Sequence, residues 1–180
     1  MKSALLIIDV QAALCSGEWA AYDVRATVDR INERLLGGQG PPVPQCFSSS
    51  MKRVTDPFNS RPPGWQLYER LEVQPDDIPL RKTATDSFHR TELRAHLQSR
   101  GVQRLVVCGL QSEFCVDSTV RGALALGYPV VLVADGHSTL DNDVISAAQI
   151  SAHHNVTLAN LSSFGPRVTT TPADSVRIET

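Results

Sequence analysis

CGLQSEFCVDSTVRGALALGY, residues 108–128, joins the end of one apolar run to the start of a helical pattern and sets a thiol, Cys115, at the junction. Upstream, RLVVCGL (104–110) is the kind of continuous, β-branched run that suits a strand buried on both faces. Downstream, STVRGALALG (118–127) reads as a helix stopping at Gly127, and PVVLVAD (129–135) is a second buried run. Strand, helix, strand in close succession implies a parallel crossover, with helices covering the sheet.

Working outward, ALLII (4–8) is a further buried run, and IPLR (78–81) reads as a strand. VDRINERLL (28–36) brings Val28, Ile31, Leu35 and Leu36 near one face, TELRAHLQSRG (91–101) pairs Leu93 with Leu97, and Asp141–His154 carries Val144, Ala147, Ala148 and Ile150. VTLANL (156–161) fits either a short strand or a helix end. Residues 37–66 are crowded with Gly, Pro and Ser; a second strand is expected there, limited by Pro41, Pro42 and Pro44 to a short piece or an edge, with loop around it. The expectation is one α/β domain over residues 1–180, a doubly wound, mainly parallel sheet with helices on both faces.

With 42% apolar and 20% charged residues and a formal net charge of −2, the composition is that of an ordinary globular chain and argues against nucleic-acid and membrane-surface roles. No apolar run approaches the ~20 residues of a membrane helix. MKSALLIIDVQ is broken by Asp9 and Gln11 and reads as a first strand instead of a signal peptide. The four cysteines (Cys15, Cys46, Cys108, Cys115) form no CxxC pair and are expected reduced in a cytoplasmic protein.

In an open α/β sheet, ligands bind beyond the carboxyl ends of the strands. Polar residues there are Asp9, Lys82, Cys115 and Asp135, of which the first three make a workable chemical set. A helix N-terminus and a nearby lysine would lower the Cys115 pKa, while Asp9 could take the thiol proton and return it to a leaving amine. Backbone N–H groups of Cys115 and of the turn 110–113 could receive an oxyanion. The plain readings are an inert core cysteine, a solvated lysine and a capping aspartate; Cys108, inside its apolar run, is read as core.

ALLIIDVQ, RKTATDSFHRTEL and VVCGLQSEFCVDSTVRGALALGYPVVLVADGHST, continued through AQISAHHN, together resemble the isochorismatase-like cysteine hydrolases over residues 4 to about 165. The resemblance implies a general base at Asp9, a lysine at Lys82, a nucleophile at Cys115 and a cis Leu110–Gln111 peptide that turns the Gln111 N–H toward the oxyanion beside that of Cys115. For substrate contacts it points to Gln11 (lining the pocket or bracing a loop), Phe88 (an apolar wall) and Trp65 (stacking or packing). Trp19 is read as packing, Glu113 as facing solvent or a partner, and His153 and His154 as helix-end residues instead of ligands, with His137 also set aside as a ligand. Family nicotinamidases carry an Asp/His metal cluster before the lysine, whereas residues 37–81 hold no histidine, so no metal and no cofactor is expected. The expected reaction is covalent hydrolysis of a small-molecule amide, lactam or carbamoyl C–N bond, loosely like streptothricin-hydrolase-type proteins. The alternatives are vinyl-ether hydrolysis by Asp9 and Lys82, or a catalytically silent binding module. A homo-oligomer, dimer or larger, is expected from the family.

Overall fold

The computed structural model describes residues 1–36, 46–51 and 65–179. Among the described residues six strands form one sheet in the order β3-β2-β1-β4-β5-β6, every pairing parallel. The strands are β1 (Ser3–Ile8), β2 (Cys46–Met51), β3 (Ile78–Lys82), β4 (Arg104–Leu110), β5 (Val130–Ser138) and β6 (Val168–Thr171). The helices are α1 (Ala12–Cys15), α2 (Val24–Arg30), α3 (Leu93–Ser99), α4 (Asp117–Ala125) and α5 (Ala147–Ala159). The order reverses between β1 and β4, where a doubly wound sheet opens its crevice.

The apolar runs form strands because both of their faces are covered. Along β1, Ala4, Leu6 and Ile8 pack with α3, α4 and α5 residues, while Leu5 and Ile7 pack with Cys15, Val24, Val28 and Ile31 on the opposite face. β4 divides in the same way, Leu105 and Val107 to one side and Val106 and Cys108 to the other. Each such leucine or isoleucine, fully withdrawn from water, contributes about 1.5–3 kcal/mol.

One sequence expectation changes, and two left open are decided. Of the short piece or edge expected for the second strand, β2 is the short piece, six residues placed internally between β1 and β3; the Gly/Pro-rich loop expected around it falls on 37–45 and 52–64, outside the described residues. The helix expected from Asp141 begins at Ala147, because Ser146 and Gln149 close a reciprocal capping box, while Asp141 and Asn142 accept backbone N–H groups from Ala147, Val144 and Ile145. α5 therefore continues through most of VTLANL, the helix end of its two alternatives, and the last strand is VTTT at 168–171.

Candidate active site

Asp9 and Cys115 each reach the carboxyl edge of the sheet by a break in regular backbone. β1 ends at Ile8, and Asp9 adopts a left-handed conformation (φ 47°), which turns the chain toward α1. Aspartate tolerates that region better than most residues. Beside it, Gly109 (φ 113°) pairs with Ile8, and a Cβ there would lie 2.1 Å from the Ile8 carbonyl oxygen. Only glycine lets β4 press so closely on β1 at this level.

β4 then ends in a cis Leu110–Gln111 peptide, followed by a π-helical turn, Ser112–Val116, that leads directly into α4. The Gln111 carbonyl accepts from the N–H groups of Phe114 (3.2 Å) and Val116 (3.1 Å), and the turn carries Cys115.

Lys82, the last residue of β3, is buried with its stem in the protein, and its Nζ lies 2.7 Å from Asp9 Oδ2. Asp9 and Lys82 are each 1% exposed. The ammonium also donates to the carbonyls of Ala84 (3.2 Å) and Thr85 (3.3 Å), just downstream in its own loop. That loop is tied to α4: Thr119 Oγ1 accepts from the Ser87 N–H and donates to the Thr85 carbonyl, and a Cβ on Gly122 would meet Asp86 Oδ1 at 2.8 Å. The Cys115 thiol, 5% exposed, is in hydrogen-bonding contact with both Asp9 and Lys82. Three residues separated by up to 106 positions in sequence thus meet in one buried cluster.

The electrostatics correct one expectation. Burial, followed by the negative charge of Asp9, pushes the Cys115 pKa up from 9.0 to about 12, outweighing the lowering by Lys82. Desolvation disfavours the anion, and a carboxylate in contact disfavours it further. At neutral pH the sulfur is held as a thiol beside a base, not as the resting thiolate expected from its place at a helix mouth.

The other candidates fall elsewhere. Gln11 is buried and its side-chain amide donates to the Trp65 carbonyl (2.9 Å), while its backbone bridges Leu67; it braces the 65–68 segment against the end of β1. Trp65 is half-buried above that brace. Phe88 packs against the core and stacks on Tyr128 at 6.3 Å, near the amino end of β5, which favours a packing role over the pocket wall expected for it. Trp19 is exposed instead of packed. Glu113 accepts from Thr139 Oγ1 at 2.9 Å. His154 lies inside α5, not at its end, and faces Asp117, which also grips Arg121. Cys108 is fully buried in β4, as its apolar setting implied. Among the described residues no three His, Cys, Asp or Glu side chains gather as a metal site requires. The carbonyls of Ala84 and Thr85 and the hydroxyl of Thr119 escaped the sequence reading, because backbone acceptors and loop ties leave no residue-type signature.

The isochorismatase domain pattern matches residues 3–172. The chain belongs to the isochorismatase family. This isochorismatase-family chain is 35% identical over 178 residues to streptothricin hydrolase of Streptomyces noursei, covering 94% of this chain and 64% of that protein. It is 28% identical over 173 residues to the ureidoacrylate amidohydrolase of Klebsiella pneumoniae, covering 74% of this chain and 72% of that one. A crystal structure of an isochorismatase family protein superposes with a TM-score of 0.79 at 36% identity, covering 94% of this chain and 97% of the other.

Proposed function

We propose that this chain is a cysteine-dependent hydrolase of a small-molecule amide, lactam or carbamoyl C–N bond, acting through a thioester on Cys115 without a metal. The observation that carries the reading is the contact of one thiol with a buried carboxylate–ammonium pair. Because burial and Asp9 hold the sulfur protonated, attack on a carbonyl carbon and transfer of the thiol proton to Asp9 go together. The C–N bond then breaks as Asp9 returns that proton to the leaving nitrogen. Water next attacks the thioester, giving its proton to Asp9, and the departing sulfur takes it back. Lys82 keeps Asp9 oriented and offsets the charge that passes between the two residues. The backbone N–H groups of Gln111 and Cys115 receive the transient oxyanion.

Two relatives whose names describe a streptothricin hydrolase and an amidohydrolase support a C–N bond over an ether. We place the protein in the cytoplasm, where its thiol stays reduced; among the described residues no helix is long and apolar enough to cross a membrane. We also take it to work as a homo-oligomer. Exposed Tyr22 and Phe114 support this, being linked near the sheet's carboxyl edge by the Tyr22–Thr139 backbone bond and the Thr139–Glu113 contact.

The test is a panel of small amides and lactams, followed by ammonia or amine release, with wild type and Cys115→Ala side by side. The variant should lose at least about a thousandfold in kcat. Near-normal turnover in Cys115→Ala would overturn the thioester route and leave the Asp9–Lys82 pair as the reacting groups.

A further inference from the structure

Beside the turn that carries Cys115 runs a second, partly buried chain of polar groups, built from β5 and α5. Asn155 Nδ2 donates to the Ala134 carbonyl at 2.9 Å, which aims its Oδ1 at His137 Nε2, 3.0 Å away. A carbonyl oxygen can only accept, so Nε2 carries the hydrogen and Nδ1 is left as an acceptor. Ser112 Oγ lies 2.8 Å from that Nδ1 and 2.9 Å from Ser151 Oγ; it donates to the first and accepts from the second. The order Asn, His, Ser has the form of a nucleophile with its base, yet Ser112 is 0% exposed and its hydroxyl is taken up by His137 and Ser151. Its place in the chain gives it another use. Ser112 is the first residue of the turn that carries Cys115, directly after Gln111.

We propose that His137, oriented by Asn155, is a positioning residue for the thiol, acting through Ser112. The inference rests on the hydrolase reading above and extends it. The sulfur is aligned by two sets of contacts, Asp9 and Lys82 at the ends of β1 and β3, and the Ser112 anchor held from β5 and α5. His137 serves this purpose only while neutral, and burial keeps its pKa below the usual histidine range. Asp135 on β5 opposes that lowering, and His154 on α5, itself beside Asp117, adds to it.

The experiment uses 4-nitrophenyl acetate, which acylates a thiol by forming S–C and breaking C–O, the thiol proton leaving through Asp9. The pre-steady-state burst of nitrophenolate reports acylation, and thermal melting reports folding. Ser112→Ala and His137→Phe should each slow the burst about tenfold at pH 7.5, because a small loss of alignment is costly in rate. Ser112→Thr, which keeps the hydroxyl, should stay within about twofold, and the Ala/Phe double variant should be no slower than Ser112→Ala alone, since coupled residues are non-additive. Should His137→Phe fail to fold, pH takes its place: at a pH below the usual histidine range protonation of His137 removes the acceptor, so the wild-type rate there falls more steeply than that of Ser112→Ala. A wild-type rate in Ser112→Ala with a burst that still needs Cys115 overturns this proposal alone. A double variant slowed by the product of the two single effects also overturns it. A burst that survives Cys115→Ala overturns the hydrolase reading as well.

Discussion

Replacing Asp9 with asparagine keeps the shape of the side chain and removes its charge. Asparagine tolerates the left-handed backbone at this position as aspartate does, so no new strain enters. What changes is the partner of Lys82. Its ammonium is 1% exposed and 2.7 Å from the carboxylate, a separation at which the attraction is about 6 kcal/mol for an effective dielectric constant of about 20. The Ala84 and Thr85 carbonyls, at 3.2 and 3.3 Å, remain as acceptors but carry no full charge. Removing one member of a buried pair typically costs about 3–5 kcal/mol, a large part of the ~5–15 kcal/mol that holds a domain together. For a chain of this size that corresponds to a fall in Tm on the order of 10 °C. The assay is urea unfolding followed by circular dichroism at pH 7, with Asp9→Asn, Lys82→Met and the double variant compared. The double variant should recover most of the stability lost in Asp9→Asn, since no uncompensated charge remains, while staying inactive. Asp9→Asn as stable as wild type, or a double variant no better than the single one, would refute the claim that the pair is a buried, mutually dependent unit.

Gly109→Ala should abolish soluble expression or cost more than about 4 kcal/mol, because the new Cβ would meet the Ile8 carbonyl at 2.1 Å. Gly17→Ala, at φ 75° with nothing within 4 Å, should lose only about 1–2 kcal/mol in the same unfolding assay; equal losses would show that backbone conformation alone matters. Iodoacetamide labelling of Cys115, read by peptide mass spectrometry, should rise with pH without levelling off below pH 10, because the thiol pKa is raised to about 12; a plateau below pH 8 would show a lowered pKa instead. Linkage gives the same raised thiol a stability that is complete below its ordinary value of 9.0 and declines as pH rises toward about 12.

Most of the sheet was legible in the sequence because ALLII, RLVVCGL and PVVLVAD are buried on both faces, and such strands need no alternation to be recognised. VTTT is β-branched yet illegible as a strand, since four residues after a Gly-Pro turn carry little pattern. The capping box at Ser146 and Gln149 was open to reading, but the apolar spacing upstream of it concealed the helix start. Within the site, the identities of Asp9, Lys82 and Cys115 followed from their places after strands and from the family resemblance. The state of the thiol did not follow, because its sign depends on burial and on contact with Asp9, quantities no local pattern carries. Phe88 misled for a related reason: an aromatic next to a site residue in sequence can direct its ring toward the opposite end of the helix layer, as it does here onto Tyr128.

The loop whose carbonyls clasp the lysine is fastened to the same helix that follows the cysteine, through Thr119 and the bare backbone of Gly122. A tilt or slide of α4 therefore carries ammonium and sulfur together. On the proposed reaction, this shared fastening lets mobility elsewhere in the domain admit a substrate and release a product without drawing the two groups apart.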